Sequence, residues 1–201
     1  MRICVYGAAS TELAEYYLRD AFLLGKSLAD KGIGLVFGGG ATGVMGELAR
    51  GAAAGGGEII GVSPQFFQAD GVLYDHCTQL IYTETMRQRK QKMEELADAF
   101  IMLPGGMGTL EEFFEILTLK QLGRHTKRIA VLNTHGYYDA LQVWMEQAIA
   151  EGFMREACRT LYFISNRIED VLQYVCVEQE QPPRILADYK AVRMQENLTE
   201  K

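Results

Sequence analysis

Two glycine-rich turns, one arginine and one glutamate carry the chemistry that this 201-residue sequence suggests. Residues 100–115, FIMLPGGMGTLEEFFE, run from an apolar stretch ending at Pro104 through Gly105, Gly106, Gly108 and Thr109 into a helix with Glu111 and Glu112 near its start. A strand that passes through a glycine turn into a helix leaves unpaired N–H groups and the positive end of the helix dipole facing the turn, which suits a phosphate. Glycine lets the backbone approach the ligand with no Cβ in the way. A neighbouring carboxylate repels phosphate, so its presence makes sense where it addresses a sugar or a reacting carbon.

The second turn, Gly38-Gly39-Gly40-Ala41-Thr42-Gly43, satisfies G-x-G-x-x-G between a predicted strand and a predicted helix. Glu58 lies near the offset at which a dinucleotide fold places its ribose-binding acid, so a nicotinamide enzyme is one reading. That fingerprint ordinarily follows the first strand of its unit, and here it follows the second. Phosphate binding is therefore favoured over a dinucleotide, with a plain tight turn as the bland alternative. No G-x-x-x-x-G-K-[ST] run occurs.

Thr109 and Glu112 also match a capping box, in which each side chain bonds a backbone N–H at the start of the helix. That role explains both residues with no chemistry. Against it, the glycine turn already serves this helix end, and Glu112 falls in the row of Ile116 and Leu119 on a helix that is apolar nearly all round. A carboxylate on a buried row needs a cation, a donor or a ligand hydroxyl. Arg89 offers the cation: it is three residues after Met86 and four before Met93, on the inward stripe of the preceding helix. Arg87 and Lys90, its companions in the run RQRKQK, are expected to face outward.

These residues need elements to position them. Strands are predicted at residues 2–7, 33–37, 58–62, 77–82, 99–103, 128–133 and 160–164, and helices at 12–31, 43–54, 84–98, 109–122, 139–151 and 166–176, the last with a capping box of Asn166 and Glu169. Residues 63–76 are expected to form a surface loop beside the site. Continuous apolar strands alternating with helices predict an α/β fold with a mostly parallel central sheet flanked by helices on both faces, whose ligands bind at the strands' carboxyl ends. A single domain is expected over residues 1–180, with a C-terminal tail at 181–201.

The net charge of −6 argues against a binder of nucleic acid polymers. No apolar run reaches the roughly 18–20 residues of a membrane span, and the N-terminal apolar run is too short for a signal peptide, so a cytoplasmic protein is expected. Cys4, Cys77, Cys158 and Cys176 show no metal-ligand spacing and are expected to be free buried thiols. His76, His125 and His135 are isolated and are expected on the surface or in loops.

MRQRK at residues 86–90, PGGMGTLEE at 104–112 and FGGGATGVMG at 37–46 resemble, in this order and spacing, the Met-x-x-Arg-Lys, PGGxGTxxE and GGGxxGxMG motifs of the Lonely Guy family. Its members are cytokinin riboside 5′-monophosphate phosphoribohydrolases, often mislabelled lysine decarboxylases. The resemblance runs from about residue 2 to residue 149. It implies a Rossmann-like three-layer α/β sandwich, usually a homodimer. It also implies hydrolysis of a nucleoside 5′-monophosphate, either a cytokinin nucleotide or AMP, to free base and ribose 5-phosphate with no metal or cofactor. By this resemblance Arg89 and Glu112 are catalytic. Gly105, Gly106, Gly108 and Thr109 bind phosphate, and Gly39, Gly40, Gly43, Met86 and Lys90 shape the nucleotide site.

Three departures touch the pocket lining: Tyr6-Gly7-Ala8-Ala9-Ser10 stands for the family's Cys-Gly-Ser-Ser, Arg87 for a frequent His and Met107 for a frequent Tyr. They bear on base or prenyl preference more than on the reaction. Glycosidic cleavage develops positive charge at C1′. Glu112 is expected to stabilise that charge, Arg89 to keep Glu112 ionised, and the glycine turn with Thr109 to anchor the phosphate. A non-catalytic nucleotide or cofactor carrier of related fold is the alternative. Such a protein needs the glycine turns but neither Arg89 nor Glu112.

Overall fold

Seven parallel strands form one sheet in the order β4-β3-β2-β1-β5-β6-β7. This computed structural model describes residues 1–68 and 71–177; the tail expected at 181–201 and the expected domain end at residue 180 lie outside them. The strands are β1 (Arg2–Tyr6), β2 (Gly34–Phe37), β3 (Ile59–Pro64), β4 (Gln79–Thr83), β5 (Ala99–Met102), β6 (Arg128–Leu132) and β7 (Phe163–Ser165). The helices are α1 (Glu15–Asp30), α2 (Gly43–Ala54), α3 (Met86–Leu96), α4 (Met107–Gln121), α5 (Asp139–Ala150) and α6 (Ile168–Cys176). No described helix is long and apolar enough to cross a membrane.

Strand alternation builds two cores. On β1, Ile3 and Val5 join Leu24 and Leu28 of α1, Leu48 of α2 and Leu172 of α6 on one face. Cys4 and Tyr6 join Met93 of α3, Phe113 and Ile116 of α4 and Met145 of α5 on the other. Both faces are covered, so apolar side chains on both sides of each strand are satisfied, and the fold is the expected three-layer α/β sandwich. Strand order reverses between β1 and β5. The turns leaving those strands diverge there and open a crevice.

Several local expectations are corrected. Helix α4 begins at Met107 with Gly106 as its N-cap and no side-chain cap, so Thr109 is the third helical residue and is buried. Glycine serves as an N-cap without a side chain, and the Thr109–Glu112 capping box does not form. Arg167, not Asn166, caps α6, and its N–H donates to Ser165 Oγ, so that second box is absent too. A capping box does form where none was expected, between Thr85 and Gln88 at the start of α3.

His125 is buried rather than superficial. Its Nε2–H donates to the Ile116 carbonyl at 2.8 Å and its Nδ1 accepts from the Lys127 N–H, while burial pushes its pKa below 6.5. All four thiols are free; Cys4 and Cys158 are buried, Cys77 is half-buried and Cys176 is exposed. Cys176 thus departs from the buried expectation.

Candidate active site

The carboxyl ends of β1, β2, β3 and β5, with the first turns of α3 and α4, enclose a cleft of about 590 Å³. Gly7–Ser10 after β1, Gly38, Gly40 and Thr42 after β2, and Gly106, Gly108 and Thr109 at the start of α4 supply a largely backbone wall. Helix α4 makes its first intrahelical bond from the Leu110 N–H to the Gly106 carbonyl. The N–H groups of Met107, Gly108 and Thr109 therefore have no helical partner, and the dipole's positive end meets the cleft.

Arg89 sits in the first turns of α3, whose start the Thr85 and Gln88 cap sets. Arg89 as a whole is 7% exposed. Its Nε donates to the Val62 carbonyl at 3.1 Å and its Nη1 to Glu112 Oε1 at 2.8 Å. Glu112 projects from α4 across to it, and the two side chains are only 9% and 12% exposed. Both line the cleft. Burial raises the Glu112 carboxyl above its ordinary 4.5, and Arg89 offsets only part of that rise. Arg89 thus favours the ionised form as expected, but desolvation is the larger effect. Burial also holds the Cys4 thiol and Tyr6 phenol in their protonated forms nearby.

The other expected residues divide. Gly40, Met86, Gly106, Gly108 and Thr109 line the cleft. Gly39 and Gly43 do not touch it but bend the second turn: both have left-handed backbones, φ 80° and 63°, which glycine adopts without strain. Gly105 lies buried beneath Thr109, with no space for a side chain. Lys90 is outside the cleft lining and bridges α3 to α4 through Glu111 and Glu115. Its expected outward direction gives way to that clamp.

Gly38 is the residue that the motif count did not single out. A Cβ there would run into Arg89 Nη2, so Gly38 makes the room the guanidinium occupies. Residues 72–74 are bound to the second glycine turn rather than forming a plain loop. Gly40 bridges to Leu73, the Ala41 N–H donates to the Val72 carbonyl at 3.0 Å, and the Tyr74 N–H donates to the Gly39 carbonyl at 2.8 Å. These bonds bring Val72 and Leu73 to the cleft, and with Phe67, which also lines it, they form an apolar lip. Glu58 is elsewhere. At the amino end of β3 it takes two 2.8 Å bonds from the Arg2 guanidinium, at the opposite end of the sheet from the glycine turns. It cannot hold a ribose at this cleft, and the dinucleotide reading loses its acid. Among the described residues no group of three or more His, Cys, Asp or Glu side chains could hold a metal ion.

Sheet order, crevice and turns define a doubly wound α/β protein whose cleft lies at a topological switch point. The family model described as possible lysine decarboxylase matches residues 45–175. The cytokinin riboside 5′-monophosphate phosphoribohydrolase LOG2 of Arabidopsis thaliana is 37% identical over 172 residues, 86% of this chain and 81% of that protein. The cytokinin riboside 5′-monophosphate phosphoribohydrolase LOG of Oryza sativa subsp. japonica is 42% identical over 162 residues, 80% of this chain and 66% of that one. Among solved structures, the molybdenum cofactor binding protein of Rippkaea orientalis superposes with a TM-score of 0.66 at 23% identity, covering 86% of this chain and 93% of that one; it shares the fold. The chain belongs to the possible lysine decarboxylase family, the family of the Lonely Guy proteins.

Proposed function

We propose that this chain is a phosphoribohydrolase that cleaves the N-glycosidic bond of a nucleoside 5′-monophosphate, a cytokinin riboside 5′-monophosphate or AMP, releasing free base and ribose 5-phosphate. The buried Arg89–Glu112 pair facing the glycine turns across one cleft carries the reading. The 5′-phosphate sits on the N–H groups that open α4, beside Gly106, Gly108 and Thr109. The ribose then lies toward Glu112, whose carboxylate faces the positive charge that develops at C1′. Arg89 fixes that carboxylate in place. Phosphate binding, remote from C1′, supplies energy for orienting the sugar.

A panel of nucleoside monophosphates, including AMP and N6-prenylated AMP, tests the reading through release of free base. Absence of base release from every member would overturn it. The fold shared with a molybdenum cofactor binding protein supports the alternative of a non-catalytic carrier. Ligand binding without turnover across the same panel is the outcome that favours the carrier. The identities to named phosphoribohydrolases and the buried pair both favour the enzyme.

The raised Glu112 carboxyl predicts the pH profile. Its anion is the working form, so kcat/KM should fall on the acid side as Glu112 takes a proton. The acid limb should lie above 4.5, the ordinary value. An acid limb at or below 4.5 in wild type, absent altogether or unchanged in Glu112→Asp, contradicts the assignment.

A homodimer is also proposed. Met107 of α4 is 88% exposed, and on α5 Val143 and Trp144 are exposed, the Trp144 ring meeting Phe114 of α4 edge-on at 6.1 Å. This face supports association through α4 and α5. Light scattering at micromolar concentration should give about twice the 22.5 kDa chain mass, and Trp144→Glu should shift it to monomer. A cytoplasmic setting, with a role in cytokinin biosynthesis, completes the proposal. Free thiols at all four cysteines accord with a reducing compartment.

A further inference from the structure

The loop after β6 turns two consecutive tyrosines back onto the phosphate turn. Tyr137 Oη donates to the Gly105 carbonyl at 3.0 Å and Tyr138 Oη to the Leu103 carbonyl at 2.8 Å. The loop is itself braced. Asn133 Oδ1 accepts the Tyr138 N–H and Asn133 Nδ2 donates to Asp139 Oδ1, both at 2.7 Å. The Tyr137 ring packs edge-on against Tyr17 of α1 and against Tyr138.

The Gly105 carbonyl and the Gly106 N–H belong to one peptide plane. The described chain has no cis peptide bond, so this plane is trans and the two groups point in opposite directions. Holding the carbonyl back against Tyr137 therefore turns the Gly106 N–H the other way. Gly106 lines the cleft, and its N–H has no backbone partner among the described residues. A glycine pair is the least restrained place in a chain for a peptide plane to flip. If the plane flipped, it would set a carbonyl oxygen against the phosphate.

We propose that Tyr137 is a positioning residue for phosphate recognition: its hydroxyl locks the Gly105–Gly106 peptide so that the Gly106 N–H is presented to the 5′-phosphate. This rests on the phosphate being held at that turn, as in the function proposed above. It adds a residue that lies outside the three sequence motifs and outside the cleft lining.

The test is Tyr137→Phe, which keeps the ring and its packing and removes only the hydroxyl. Calorimetry with ribose 5-phosphate and with ribose reads the phosphate contribution without turnover. Ribose 5-phosphate affinity should fall about 5- to 10-fold, the scale of one hydrogen bond. KM for the nucleotide should rise by a similar factor, and kcat and ribose binding should stay within about 2-fold. Unchanged ribose 5-phosphate affinity overturns the proposal. So does an equal loss for ribose and ribose 5-phosphate, which would mark a general loosening, or wild-type protein that binds no ribose 5-phosphate. Wild-type protein that binds ribose 5-phosphate, loses it in Tyr137→Phe and releases no base from any nucleotide supports the positioning role while the hydrolase reading fails.

Discussion

Replacing Glu112 with Gln should lower kcat/KM about 10²- to 10³-fold, the loss that follows removal of one preorganised group facing transition-state charge. It should at the same time raise the melting temperature at neutral pH. The activity loss follows because the amide keeps the shape and the Arg89-facing oxygen but has no charge to set against C1′. The stability gain follows from the direction of the Glu112 shift. Burial raises its folded-state carboxyl above 4.5, even with Arg89 Nη1 at 2.8 Å.

A carboxyl raised on folding favours the folded state in its protonated form. Its contribution is fully present below the unfolded value and is lost as pH rises through the folded one. At pH 7 the ionised Glu112 is therefore a burden on the fold that neutral Gln does not impose. Melting curves of the two proteins should differ at pH 7 and converge as pH approaches 4.5 and falls below it. A variant that melts below wild type at pH 7 would show that Arg89 outweighs desolvation. One that retains near wild-type base release removes Glu112 from the chemistry. The pairing of lost activity with gained stability is expected where a site holds charge against burial.

What the sequence made legible follows from how local each signal is. Glycine turns at strand ends report backbone geometry, and the two-face alternation along Ile3, Cys4, Val5 and Tyr6 reports the sheet. Both are carried by neighbouring residues. The inward placement of Arg89 was legible because helical spacing ties it to Met93, which is fully buried. The Thr85–Gln88 box was present as a Thr-x-x-Gln pattern, whereas Thr109-x-x-Glu112 had the pattern without the box, because Gly106 starts the helix earlier. The same motif thus succeeds or fails according to where the preceding turn ends.

Contacts between distant elements left no such trace. The Lys90 bridge to Glu111 and Glu115 depends on how α3 and α4 pack, and the Arg2–Glu58 pair depends on strand order. His125 gave no sign of burial, because its partner is the Ile116 carbonyl, a group every residue carries. Nor did spacing separate the three consecutive glycines. Gly39 bends the chain, Gly40 faces the cleft and Gly38 faces Arg89, and only the packed arrangement distinguishes them.

Gly38→Ala should impair catalysis as severely as a change to Arg89 itself, on the order of 10²-fold in kcat/KM, although the new methyl's nearest neighbours are Arg89 and Met45 rather than Glu112. Gly38 has no left-handed backbone, so alanine brings no strain of its own. The new Cβ would instead overlap Arg89 Nη2 and press on Cζ at 3.2 Å. A long surface arginine would swing aside, but this one is tethered by its Nε to Val62 and by its Nη1 to Glu112. Yielding means breaking one bond or both, and a buried Glu112 that loses its cation is raised further toward the protonated form. The acid limb of the kcat/KM profile should therefore move to higher pH in Gly38→Ala. A double-mutant cycle isolates the cause. With Arg89 already replaced by Ala, adding Gly38→Ala should cost little more, because the overlap has gone with the guanidinium. Fully additive losses would mean that Gly38 acts on the cleft by another route, and an unshifted acid limb would separate it from Glu112.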